Sequence, residues 1–208
     1  MPVINHIFIL MLENRSFDHL LAFSGLPGIA PPDASWSMTA DAPDRPALDP
    51  DHEFEDVAAQ MAGEPPMSGF SRQRYWATSR QGFTPNNLPV LNALAGQYFL
   101  FDNWYSAMPG PTWPNRFFVH AGSSGGLDNS PSAATTIETE TIDSLSFTFA
   151  NDTLYQRLDK TPGTSWRVYH DDIFPQVLAI KHMIDPFRLN TDHFRSVSQC
   201  FARTGSGR

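Results

Sequence analysis

The sequence predicts an α/β fold, a parallel-rich sheet flanked by helices, on three observations. The run from Val3 to Leu12 is dense in Ile, Phe and Leu without polar alternation, as a strand covered on both faces is. Two later segments, "YFLFDNWYS" (Tyr98 to Ser106) and "SWRVYH" (Ser165 to His170), read as a second and a third strand. Apolar positions at helical spacing separate them, so strands and helices alternate along the chain. With 41% of its residues hydrophobic and 17% charged, the chain has a globular composition, which argues against disorder throughout. Its 208 residues suffice for one domain with a real core, or for most of a larger one.

A first helix follows the first strand, with Ser16 as its cap, Phe17, Leu20 and Leu21 as its apolar face, and Gly25 and Pro27 ending it. From Leu26 to Pro50, Pro, Asp and Ala recur without a period, which predicts a long loop over a scaffold. A short helix is expected over Asp51 to Met61, with the acidic run "DHEFED" as its solvated face. The next covers Leu88 to Gln97, where Leu88, Leu91, Leu94 and Ala95 share a side. Another opens near Thr112 and runs through "WPNRFFVHAG", tolerating Pro114 because it falls in the first turn. "SSGGLDNSPSAATTIETETIDS" is turn-rich and predicts an exposed stretch with a short hairpin, and "DTLYQRLDK" predicts a helix capped by Asp152.

Twenty-two acidic residues against fourteen basic ones give a net charge of −8 with no run of Lys and Arg, so nucleic acid is not an expected partner. The same balance repels a phosphorylated substrate unless a metal or a local cation offsets it. Cys200 stands alone, which excludes an internal disulfide. The apolar run Ile7 to Leu12 is far short of the roughly 20 residues that cross a bilayer. No basic region precedes it as a secretion signal requires, so no transmembrane segment is expected and the visible sequence reads as soluble, cytoplasmic as given, with the localisation left open because a signal removed ahead of Met1 would leave no trace.

In an α/β sheet, ligands bind at the carboxyl edge of the strands, and Glu13 and Asn14 fall at that edge. A carboxylate beside an amide oxygen suits a hard divalent cation while adding one negative charge; the same pair also serves as a cap or a surface contact. Thr112 follows a Gly-Pro turn at a helix start, where backbone N–H groups and the helix dipole stabilise an alkoxide or a phosphate, although a Thr there is also an ordinary N-cap. Asn115 and Arg116, one turn on, offer an amide and a guanidinium to phosphate oxygens; alternatively Arg116 pairs with a surface acid. His52 and His170 are candidates to donate to a leaving oxygen or a phosphate, or are surface histidines. His120 lies among Phe117, Phe118 and Val119 and is expected to be a hydrogen-bonded core residue, with Asp18 and His19 supporting the first loop.

Taken in order, "HIFILMLENRSFDH", "LPVLNALAGQYFLFDNWYSAMPGPTWPNRFF" and "SWRVYHDD" resemble the phosphoesterase family of bacterial phospholipase C and the related acid phosphatase, within the alkaline-phosphatase superfamily. The resemblance implies an alkaline-phosphatase-like sheet, metal ligation by Glu13 and Asn14, and Thr112 as a metal-bound nucleophile that forms a phosphothreonine. It further implies that Asn115 steadies non-bridging oxygens, with His52, His170 and Arg116 around the substrate. The implied cofactor is calcium, magnesium, manganese or iron, with zinc less favoured for want of clear His or Cys ligands in these motifs. The substrate is a phosphate ester, either a phospholipid or a soluble monoester; a non-catalytic remnant that binds an anion or partner is the alternative from another class. Family members are about twice this long or more and carry a later ligand segment resembling "DEHGGxYDH", which does not occur here; Asp171 and Asp172 sit in the surroundings of the earlier W-x-V-Y strand instead. Residues 1–208 are therefore expected to be the N-terminal part of one phosphoesterase domain, with an incomplete sheet and uncovered surface prone to self-association.

Overall fold

The computed structural model describes residues 4–13, 15–32, 36–141, 145–171, 175–183 and 193–204. Asn14 and Asp172 lie outside the described residues. The chain divides into two compact units, Met1–Ser106 and Ala107–Arg208. The described residues combine short helices with one small parallel sheet, in keeping with an α/β fold.

The first unit contains α1 (Phe17–Leu21), α2 (Phe54–Met61), α3 (Trp76–Ser79) and α4 (Pro89–Gln97), with a 3-10 turn over Ser68–Arg72. The Ser16 hydroxyl caps α1 by accepting from the His19 amide at 3.2 Å, as its sequence position predicts. The acidic run does more than solvate a face, because Asp56 Oδ2 accepts from the Glu53 amide at 3.1 Å and closes the start of α2. The 3-10 turn lies so close to α2 that a Cβ on Gly69 would collide with the Ala59 carbonyl, so only glycine fits. The long loop is tied down by backbone: the Thr39 amide donates to Arg80 O at 2.9 Å and the Gly82 amide to Thr39 O at 2.8 Å. His19 supports this region, its Nε2 lying 2.6 Å from Ser79 O and its carbonyl accepting from the Phe83 amide at 2.7 Å.

The second unit contains α5 (Thr112–Ala121), α6 (Ala133–Thr141), α7 (Leu154–Asp159), β1 (Val168–His170), a 3-10 turn over Gln176–Ala179, β2 (Phe194–Ser196) and α8 (Val197–Thr204). β1 and β2 pair in parallel with Val168, Tyr169 and His170 opposite Phe194, Arg195 and Ser196. The expected hairpin is replaced by α6, because Ser132 Oγ accepts from the Thr135 amide at 3.1 Å and gives a helix its start. The cap of α7 is Thr153, whose hydroxyl accepts from the Gln156 amide; Asp152 stands one residue earlier, at φ +56°, paired with Lys160 at 2.7 Å.

Phe117 is fully buried at the centre of this unit, with Trp113, Phe147 and Phe149 packed edge-on at ring distances of 5.8, 5.0 and 5.4 Å. His120 is a core residue, as its apolar neighbours predict: its Nδ1 lies 2.8 Å from the Tyr155 hydroxyl. Burial, reinforced by the Arg116 guanidinium, holds the imidazole down at about 4, and burial pushes the Tyr155 phenol up to about 12, so the pair is neutral at pH 7.

Two of the three expected strands are absent from the described residues. Ile4–Leu12 and Tyr98–Ser106 form no ladder, and their side chains stand in solvent, Phe8 at 78% exposure and Phe99 at 97%. Their composition suits a doubly covered strand, but a strand exists only when neighbours take its N–H and C=O groups, and none of the described residues does. Of the third, only Val168–His170 is a strand.

Two outcomes are predicted. Each large apolar side chain left in water forgoes about 1.5–3 kcal/mol, so the chain is expected to associate through these segments. Phe8→Lys with Phe99→Lys should then shift it toward monomer in multi-angle light scattering, and unchanged association would place the contact elsewhere. Because the unfolded His120 takes a proton near its ordinary pKa of about 6.5 while the folded one resists until about 4, stability is complete above that upper value and falls as pH drops through the window. Chemical denaturation at pH 7 and pH 4 should show a loss of at most about 3 kcal/mol, and His120→Gln should flatten the slope.

Candidate active site

The turn ahead of α5 is built by one side chain. Asn115 Nδ2 donates to the carbonyls of Met108, Gly110 and Pro111 at 3.0–3.1 Å, and its Oδ1 accepts from the Met108 amide at 3.1 Å. A single amide thus gathers the whole Met108–Pro111 loop onto the first turn of the helix. Pro111 takes the N-cap position with extended backbone, and Pro114 falls in the first turn, where its missing N–H leaves no helical bond unmade. Both prolines are fully buried. Thr112 is accordingly the first helical residue and half-buried, so the position expected of an ordinary Thr cap belongs to Pro111. At the other end, Gly122 at φ +66° stops the helix in the left-handed conformation that glycine adopts without strain.

This arrangement revises the expectation for Asn115. Its two amide hydrogens are shared among three carbonyls, so it shapes the turn that carries Thr112. Arg116 Nη1 approaches Gln176 Oε1 at 3.5 Å, a long contact, and the buried Gln176 in turn lies 3.4 Å from the Trp113 carbonyl. The guanidinium is therefore directed along the second unit toward an amide, where a surface acid was one of the readings open to it. His170 closes β1 at its carboxyl end, half-buried, with its ring 6.3 Å from Phe194 in an edge-on arrangement. Thr112, Asn115 and Arg116 are brought onto one helix end, and His170 belongs to the same unit.

Glu13 and His52 belong to the first unit, and both are exposed. Glu13 does not terminate a strand, since Ile4–Leu12 forms none. His52 Nδ1 lies 2.6 Å from the Pro50 carbonyl, which only accepts, so Nδ1 bears an N–H and Nε2 is left out of this bond on an exposed residue. Sequence reasoning missed the residues behind this geometry. Gln60 and Tyr75 bond to the Asp51 carbonyl from inside the unit, and no pattern of spacing marked either of them.

Glu13 and Thr112 present the hard oxygens that calcium, magnesium, manganese or iron accepts. Such ions take about six oxygen ligands, however, and among the described residues no group of three or more His, Cys, Asp or Glu side chains gathers to hold one.

Asn115→Asp should set a carboxylate against the three loop carbonyls and leave the Asn donors unreplaced. The expected loss is about 1–3 kcal/mol, read as a lower thermal midpoint together with faster proteolysis within Met108–Pro111. An unchanged midpoint would remove Asn115 from its role in the turn.

The profile of the Phosphoesterase family matches residues 4–204. Among curated relatives, non-specific phospholipase C1 of Arabidopsis thaliana is 27% identical over 87% of this chain and 38% of its own length. Non-specific phospholipase C6 of the same plant is 36% identical over 59% of this chain and 28% of its own length, and non-specific phospholipase C4 is 29% identical over 80% and 36%. The chain spans less than two fifths of the length of the curated relatives it matches. With a family match over nearly all its residues, carrying the T-x-P-N-R turn at the head of α5, this chain belongs to the Phosphoesterase family.

Proposed function

We propose that this chain carries the nucleophile-bearing part of a metal-dependent phosphoric ester hydrolase of the phospholipase C type, with Thr112 as the attacking residue. The observation that carries the reading is the placement of Thr112 as the first helical residue of α5, behind a turn locked by Asn115, in a chain of the Phosphoesterase family. The names of the relatives extend it to esters of phospholipid headgroups. Their greater length supports reading residues 1–208 as part of one larger domain, whose sheet is alkaline-phosphatase-like.

In this reading Thr112 Oγ attacks phosphorus, the bond from phosphorus to the ester oxygen breaks, and the alcohol leaves with a proton. Water then cleaves the phosphothreonine, returning the hydroxyl and releasing the phosphate product. The start of α5 supplies partial positive charge where negative charge develops on the phosphoryl oxygens, and Arg116 adds a full one nearby. His52, whose Nε2 is left out of the bond to Pro50, and His170, at the carboxyl end of β1, are the proposed donors to the leaving oxygen. Glu13, Asn14 and Thr112 are proposed as oxygen donors to a divalent ion, which when bound would lower the pKa of the nucleophile; the rest of its ligands would come from outside the described residues.

A second reading is a non-catalytic remnant that binds an anion or a partner, since the three proposed donors are half of the about six oxygens such an ion takes. Hydrolysis of p-nitrophenyl phosphorylcholine and p-nitrophenyl phosphate, each with calcium, magnesium, manganese and iron, separates the cases. Turnover of the diester supports the phospholipase type, turnover of the monoester alone an acid phosphatase, and no turnover with any ion the remnant. In an active preparation, Thr112→Ala should cost on the order of a thousandfold or more in kcat, and full activity in that variant would refute the nucleophile.

A further inference from the structure

His52 is exposed and sits in a loop, yet the backbone on both sides of it is fixed. On the far side, Asp56 Oδ2 holds the Glu53 amide at 3.1 Å. On the near side, the Asp51 carbonyl accepts from Gln60 Nε2 at 2.6 Å and from the Tyr75 hydroxyl at 3.3 Å, and Gln60 Nε2 also donates to the Tyr75 oxygen at 2.5 Å. Tyr75 is fully buried and Gln60 nearly so. Burying an amide and a phenol costs free energy that their hydrogen bonds must offset, and both are spent on one loop carbonyl next to a histidine. The Arg74–Asp51 ion pair, at 3.5 Å on the surface, adds little to this constraint.

The consequence falls on the ring. His52 donates from Nδ1 to the Pro50 carbonyl only while the Pro50–His52 backbone keeps its curvature, and the Asp51 carbonyl is the central link of that backbone. We propose that Gln60 and Tyr75 are positioning residues for His52, fixing through the Asp51 carbonyl the tautomer and direction in which Nε2 meets the leaving oxygen. The assignment rests on the reading above that His52 contacts the substrate. The cluster deepens that reading by supplying the rigid support that an exposed proton donor needs.

The test is ring-nitrogen NMR of His52 in the whole chain, with Tyr75→Phe, which keeps the aromatic packing, and Gln60→Leu as variants. In the parent, the two nitrogens should show the distinct shifts of one tautomer, protonated on Nδ1. In each variant they should move toward each other as tautomers exchange, while the His120 signals stay in place. In active preparations kcat should fall on the order of tenfold with KM nearly constant. His52 shifts identical to the parent in both variants would overturn the proposal, and if Tyr75→Phe fails to fold, Gln60→Leu and Gln60→Asn decide it. His52→Ala separates the two claims: full activity there refutes the substrate contact, whereas the shifts report on the positioning alone.

Discussion

Everything at the candidate nucleophile depends on the amide of Asn115. A loop with Pro at two of its four positions has few donors of its own, and its carbonyls would otherwise need water. Asn115 answers three of those carbonyls and one amide from within the helix that follows, so loop and helix start become one rigid element. Lysine could not do this, having donors but no acceptor, and aspartate could not, having acceptors but no donor. Thr112 inherits its position from that bonding, and the buried Pro111 before it and Pro114 two residues after it each hold their own φ fixed.

The helices and their ends were largely legible in the sequence, because the signals that set them lie within four residues. Ser16 before α1, Pro in the first turn of α5 and the helical spacing of α4 all carry their meaning locally. The errors at α6 and α7 have the same local scale: Ser132 outweighs the turn-rich composition around it, and Thr153 rather than the adjacent Asp152 has the backbone an N-cap requires. The strands were not legible in the same way. Composition identified Ile4–Leu12 and Tyr98–Ser106 as suited to a sheet interior, but pairing is a property of two segments, and composition names only one.

The site divides along the same line. Thr112 and Asn115 stand out as candidates because the T-x-P-N-R turn is contiguous, although nothing in its spacing signals that Asn115 spends its whole side chain on the loop. Gln60 and Tyr75 were invisible because they reach the Asp51 carbonyl from 9 and 24 positions away, and a hydrogen bond to backbone imposes no residue type on its acceptor. Support of a loop through its backbone is therefore what single-sequence reasoning is least equipped to see. Neighbours chosen for their own chemistry leave a pattern, whereas neighbours that hold a carbonyl leave none.

Charge ties these parts together. A chain with a net charge of −8 repels a phosphate ester at long range, so the proposed function requires local charge of the opposite sign at the candidate site. Helix starts are the means available without spending lysines, and α5 presents one at Thr112 with Arg116 a turn behind. Within the core of the same unit, His120 behaves in the opposite sense. Held neutral by burial with Arg116 as an adverse neighbour, it contributes packing and a hydrogen bond but no charge. The imidazole, beside the guanidinium and out of water, gives up its proton. The guanidinium of Arg116 is then the positive side chain of this helix, and His120 serves it as a neutral, hydrogen-bonded core ring.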